Sequence, residues 1–296
     1  MERRDGKITR RAMLTRSAQA AGLVALASNL APLFADRGSR GFKIGACEWS
    51  LGKGDPSCFE VAKEIGLDGV QLNMGSVGND MHLRRPEVQN AYRESAKRHG
   101  LEMASLAIGE MNSVPLKSDP RAAQWLLDSI DVCKALGIPI SMPACFSRGD
   151  LDMAKTDEID HLVQVLKLAA TKAEKAGIVI GLESYLSAED NLKILDRVAS
   201  PALKVYYDVG NSTDKGRDVL KEIPLLGNRI CEFHAKDDGF ALGQGKGRID
   251  FRAVRKAMDT IQYRGWIQLE SAHPKGIVPD YRAQCQFLKG IFPARV

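Results

Sequence analysis

Residues 204–211, KVYYDVGN, hold the stretch whose reading decides the fold. Val205 to Tyr207 read as the end of a buried strand, and Asp208 stands where the chain stops being apolar, with Gly210 and Asn211 following as a turn. A buried charge without a partner is very costly. An acid at the tip of a buried strand therefore asks what satisfies it, and whether other strands end the same way.

Working outward, short apolar runs alternate with longer segments of helical spacing from residue 42 onward. The runs 42–47, 69–72, 102–108, 138–142, 178–182, 203–207, 229–234 and 265–269 are predicted strands. The segments 56–65, 86–99, 120–136, 157–176, 188–198, 214–223, 251–260 and 281–290 are predicted helices. Pro86 and Pro120 suit a first helical turn, while Gly66, Gly100, Gly137 and Gly177 mark helix ends. Eight strand–helix pairs in roughly 250 residues predict an α/β chain folded as a (β/α)8 TIM barrel. An open doubly wound sheet fits less well, because no GxGxxG follows the first strand. GQGKG at 243–247 follows a late strand and is a weak phosphate candidate.

The net charge of +5 is misleading. Residues 1–40 hold eight Lys/Arg and three acids, so residues 41–296 are neutral. The basic balance therefore argues for no nucleic-acid partner. The leader TRRAMLTRSAQAAGLVALASNLAPLFA, residues 9–35, pairs Arg10-Arg11 with Met13-Leu14 and a moderately apolar run. That order resembles a twin-arginine export signal. Ser28, Asn29 and Pro32 interrupt the run, so no stable membrane span is expected. The domain reading is an export signal over 1–35, a linker over 36–41 and a barrel over 42–296. It implies the twin-arginine export machinery as a partner and a periplasmic or extracytoplasmic location. A homo-oligomer is left open. The six cysteines show no CxxC spacing and read as small buried residues.

Barrel chemistry sits at the C-terminal ends of the strands. The first four ends carry Cys47-Glu48-Trp49, then Gln71, Asn73 and Met74, then Glu110 and Asn112, then Pro143 and Cys145. The last four end in Glu183, Asp208, His234 and Glu270. A lone strand-end Asp is more often a helix cap or salt-bridge partner, and a lone His is usually structural. Four such residues at the same rim position of strands roughly 5 Å apart point instead to one shared centre. Three carboxylates and an imidazole suit one divalent metal ion, Mn2+, Co2+ or Mg2+, better than Zn2+, whose sites are richer in His or Cys.

GLES at 181–184, YYDVGN at 206–211, HAKD at 234–237, LGQGKGRIDF at 242–251 and IQLES at 267–271 resemble the sugar phosphate isomerase/epimerase superfamily, the xylose isomerase-like barrels. The resemblance covers residues 42–291. It implies one divalent metal on Glu183, Asp208, His234 and Glu270, with Glu183 and Glu270 as acid and base on either side of a sugar or keto-sugar substrate. Glu189 matches a substrate-contacting Glu of the ketose epimerases. Asn211 and Phe240 stand where those epimerases have a His and an Arg, and Lys236 is a replacement cation. These departures speak against a free-ketose 3-epimerase.

Further substrate-contact candidates are Trp49 and Met74 as an apolar wall, Lys236 and Arg248 for an anionic group, and His273 after the last Glu. Glu110 and Asn112 are candidates for a sugar hydroxyl. Residues 244–247 read as a flexible lip of the pocket, and His82, His99 and His161 as surface residues. The leading function is an isomerase or epimerase working through an enediolate. The alternative is a metal-dependent lyase or hydrolase of 3-keto-glycosides on the same scaffold. A phosphodiesterase related to endonuclease IV would need more His and a basic groove. A non-catalytic sugar-binding barrel would have no use for four metal-type ligands.

Overall fold

The computed structural model describes residues 41–294. The export signal read over 1–35, and residues 36–40 of the linker, lie outside the described residues. The apolar runs form eight parallel strands: β1 Lys43–Cys47, β2 Gly69–Asn73, β3 Glu102–Ile108, β4 Ile140–Cys145, β5 Val179–Ser184, β6 Leu203–Asp208, β7 Ile230–Ala235 and β8 Trp266–Leu269. Each pairs with its sequence neighbours, and β8 returns to β1 with Ile267 opposite Ile44, so the barrel closes. The helices are α1 Cys58–Ile65, α2 Pro86–His99, α3 Pro120–Leu136, α4 Thr156–Ala176, α5 Ala188–Val198, α6 Val209–Asp214, α7 Val219–Leu226, α8 Phe251–Thr260 and α9 Ile277–Ile291.

Local chemistry explains these elements. The strands are nearly continuous in burial because both faces of a parallel barrel are covered. In α4, Ile159, Leu162, Val163, Leu166, Ala169, Ala170 and Ala173 recur at helical spacing and form its buried stripe. Asp119 caps α3 through the Arg121 N–H, and Gly137 closes it at φ 72°. All six cysteines are buried, and none of them forms a disulfide.

The predicted helix at 214–223 is instead two helices. Asp208 caps α6 directly at the strand end, so Gly210 and Asn211 are helical rather than a turn. Gly216 at φ 75° then breaks the chain, and Asp218 caps α7. The last helix begins four residues before the predicted 281, at Ile277. The fourth strand runs through Pro143, which lies opposite Ile108, whereas the pattern stopped it at Met142.

The barrel interior is partly polar. Gln71, Ser105, Glu232 and Gln268 are fully buried there. Gly45 makes room for them: a Cβ at that position would lie 2.1 Å from the Gln268 side-chain oxygen.

Candidate metal centre and active site

Asp208 ends β6, and its two oxygens have different fates. Oδ1 accepts from the N–H groups of Gly210 (2.7 Å) and Asn211 (2.9 Å). This is the helix-cap role of an ordinary strand-end Asp. Oδ2 is buried and has no hydrogen-bond partner. Leaving a buried carboxylate oxygen unsatisfied is costly, so a cap alone does not account for this side chain.

His234 supplies the second half of the site. It lies opposite Asp208 in the β6–β7 ladder. Its Nε2 is 2.7 Å from the Gln71 carbonyl oxygen and 3.4 Å from Cys47 Sγ. A carbonyl oxygen only accepts, so Nε2 carries the proton in that contact. In the neutral ring the lone pair is then on Nδ1. That atom is 2.7 Å from Glu183 Oε1, 3.6 Å from Glu270 Oε2 and 3.8 Å from Asp208 Oδ2. Glu183, Asp208 and His234 each offer one donor atom, all three within 4.8 Å of one another, and all three residues are buried. An orphaned carboxylate oxygen, a second carboxylate and an imidazole lone pair at one point fit a divalent cation of intermediate hardness.

Glu270 joins this group from a different level. The pattern placed all four residues at the same rim position, but His234 lies opposite Gln268. Glu270 is therefore two residues further along, just past β8. Tilted barrel strands are staggered, and a step of two residues keeps the same face. Its Oε1 accepts from the Trp49 indole N–H at 2.9 Å, and its Oε2 lies 3.4 Å from Lys236 Nζ. The first turn of α6 packs on Lys236: a Cβ on Gly210 would lie 2.8 Å from the Lys236 stem.

The charges are strongly coupled. Burial pushes Asp208 up to about 7; His234 opposes this, and Glu270 and Glu183 reinforce it. Burial also works against the charge on Glu270, but His234, Lys236 and the Trp49 N–H outweigh it and hold that carboxyl below its usual range. Burial disfavours the Lys236 ammonium too, yet Glu270, Asp208 and Glu183 keep its pKa raised.

Glu183, Lys236 and Glu270 line the floor of a cavity of about 620 Å³ at the C-terminal mouth of the barrel, with Asp208 and His234 buried behind them. Trp49, Glu110, Asn112, Asn211 and Lys236 line it, as the sequence suggested. Three other candidates are not among the lining residues. Glu189 is exposed in the first turn of α5. Arg248 is ion-paired with Asp214 and Asp237. His273 is exposed, its ring 5.8 Å from that of Tyr281. Met74 belongs to the core, and residues 244–247 are exposed away from the lining. His82, expected on the surface, is a half-buried part of the cavity wall.

Sequence reading missed the roles of Glu48, Gln71 and Glu232. Glu48 lines the cavity, accepting from the Tyr92 hydroxyl and from the Asn73 N–H at 2.8 Å. Burial pushes it up to about 7, against the pull of those two bonds. Glu232 lies beneath His234, and one oxygen accepts from Ser105, Tyr206 and Gln268. The available signal was period two: Glu232 precedes His234 by two residues on β7 and so shares its inward face.

Known proteins agree with this architecture. The curated 2-epi-5-epi-valiolone 7-phosphate 2-epimerase of Actinoplanes sp. is 27% identical over 60% of this chain, and the alignment spans 65% of that enzyme's length. The putative L-ribulose-5-phosphate 3-epimerase of Escherichia coli is 26% identical over 78% of this chain and 89% of its own. The solved D-allulose 3-epimerase of Methylomonas sp., in complex with D-allulose, superposes with a TM-score of 0.70 at 19% identity, covering 86% of this chain and 98% of that one. The family described as xylose isomerase-like TIM barrel matches residues 59–291. With a match of that length on a closed eight-stranded barrel, the chain belongs to the xylose isomerase-like TIM barrel family.

Proposed function

We propose that this chain is a divalent-metal-dependent sugar isomerase or epimerase that moves a proton on a carbon next to a carbonyl. The observation that carries the reading is the orphaned Asp208 Oδ2 beside His234 Nδ1, directly behind the Glu183 and Glu270 side chains that line a polar cavity. Glu183, Asp208 and His234 would hold the cation, with Glu270 beside them. When bound, such a cation supplies Lewis acidity to the carbonyl and its neighbouring hydroxyl; Mn2+, Co2+ or Mg2+ suits these oxygen-rich donors better than Zn2+.

The residues around it divide the remaining work. Glu183 and Glu270 come from strands on either side of the β6–β7 pair. One carboxylate removes the proton and the other returns one. Trp49 and Lys236 grip Glu270, which fixes its orientation and keeps it ionised. Asn211 and Lys236, on the wall beside it, are placed to hold substrate oxygens. Return of the proton to the opposite face gives an epimer, and return to the neighbouring carbon an isomer. The epimerase names of the curated relatives favour the first outcome. A second reading is loss of a β-substituent from a 3-keto-glycoside. The Arg10-Arg11 leader favours it, because export would bring the enzyme to free glycosides.

The test is to incubate metal-loaded protein in D2O with ketoses, ketose phosphates and 3-keto-glucosides. Deuterium at a carbon next to the carbonyl is expected in one of them, and release of the aglycone would select the second reading. A metal-loaded protein that labels none of them refutes proton transfer.

A further inference from the structure

We propose that the cavity selects an uncharged sugar over a sugar phosphate, and that the part of the substrate away from the reacting carbon lies on a wall of amide, hydroxyl and aromatic side chains above β2 to β5 that carries no Lys or Arg. This rests on the sugar reading above.

The charge around the cavity is the first observation. Among the described residues that line it, Lys236 is the one Lys or Arg. Its ammonium is engaged with Glu270. Glu48, Glu110, Glu183 and Glu270 line the same space, with Asp208 buried behind them. A bound dication and Lys236 leave this lining with no net positive charge, even with Glu48 protonated. A phosphate ester would lie beside the ionised carboxylates in a partly dehydrated site, where like charges repel more strongly than in water.

Several of the usual phosphate partners near the cavity are also committed elsewhere. Phosphate is held by Arg and Lys side chains or by free N–H groups at a helix N-terminus. Among the α-helices, the one with a residue on the cavity wall is α6, and its Gly210 and Asn211 N–H groups already bind Asp208. Arg248 is paired with Asp214 and Asp237 and is not on the wall. Lys215 lies over the Tyr185 ring at 4.2 Å, exposed at the rim. His82, on the wall, has its pKa lowered by burial and then by Arg85, which favours the neutral ring.

What the wall does offer suits sugar hydroxyls. Asn73, Ser76, Asn79, Asn112 and Ser113 line it. Amide and hydroxyl groups both donate and accept, as a sugar hydroxyl does. Phe146 and Tyr185, with ring centroids 4.5 Å apart, add apolar faces for the C–H side of a sugar ring. The cavity volume falls within the range of about 300–1,000 Å³ that encloses whole small-molecule ligands, so there is room beyond the reacting carbons.

The experiment uses matched pairs on the metal-loaded protein: D-ribulose and D-ribulose 5-phosphate, D-fructose and D-fructose 6-phosphate, and methyl 3-keto-β-D-glucoside and its 6-phosphate. Calorimetry reads Kd, and D2O reads proton exchange. In the best-binding pair the free sugar is expected to bind about ten-fold tighter than its ester, about 1.4 kcal/mol. Ser113→Arg, an exposed wall position, should shift that ratio about ten-fold toward the ester without changing metal content. An ester that binds or exchanges ten-fold better than its free sugar overturns the proposal, as does an ester preference that disappears in Lys215→Met. An unmoved ratio in Ser113→Arg removes the wall from it. Binding without deuterium uptake refutes the proton-transfer reading, while the Kd ratio still decides the charge preference. Binding of no member of any pair also overturns it.

Discussion

Gln71→Leu tests the metal site through a residue that offers the cation nothing directly. Gln71 is fully buried on β2, and its carbonyl oxygen takes the Nε2–H of His234 at 2.7 Å. Leu fills a similar volume but leaves that N–H with Cys47 Sγ at 3.4 Å, a weak acceptor. A buried donor left without a partner costs about 1–3 kcal/mol. The ring can avoid this by moving its proton to Nδ1, where Glu183 Oε1 waits at 2.7 Å. That tautomer has no lone pair for a metal. The same free energy therefore appears as lost affinity, in line with the 10- to 100-fold typical of groups that orient a ligating His. The assay is Co2+ or Mn2+ titration by calorimetry at neutral pH, with thermal melting to confirm the fold. Gln71→Glu keeps an acceptor at Nε2 and should bind about ten-fold tighter than Gln71→Leu. A folded Gln71→Leu that binds Co2+ within about two-fold of wild type refutes the tautomer argument.

Asp208→Asn keeps an oxygen for the Gly210 and Asn211 N–H groups but loses the orphaned anionic oxygen. It should lose metal with little change in melting, whereas Asp208→Ala should also lose about 1 kcal/mol of capping; full metal content in Asp208→Asn would reduce this residue to a cap. Glu183→Gln and Glu270→Gln should each keep some metal and slow turnover by at least about 10²-fold, and near-normal rates in both would remove them as acid and base. Glu48 titrates at about 7 in the folded chain against an ordinary 4.5, so the folded state keeps a proton that the unfolded chain has released. Through this group stability should fall by about 3 kcal/mol as pH rises from 4.5 to 7; Asp208, also pushed up to about 7, adds a slope of the same sign, so chemical denaturation across that window should lose only the Glu48 share in Glu48→Gln. Replacing Arg10 and Arg11 with Lys should keep the protein in the cytoplasm, and unchanged export in a fractionation assay would refute the twin-arginine proposal.

The barrel was legible because both faces of its strands are buried, so each strand reads as a dense apolar run between helices with clear starts and stops. Asp208, His234, Glu183 and Glu270 were legible because they end those runs. What the pattern lacked was depth. A linear reading does not contain the tilt that sets Glu270 two residues beyond the partner of His234, or the loop paths that leave Glu189, Arg248 and His273 off the cavity wall. It also treats polar residues inside strands as exceptions, although in this barrel they build the floor on which His234 rests. The break between α6 and α7 has the same origin. Gly216 was visible, but the cap that starts α6 at the strand end depends on which Asp208 oxygen turns back to the backbone. Cap and metal ligand therefore need not compete for Asp208. A carboxylate has two oxygens, and here the cap holds one of them fixed on Gly210 and Asn211 while the other faces His234. Restraining the side chain in this way lowers the entropy that binding a cation would otherwise cost, so the local helix signal would reinforce the proposed metal site.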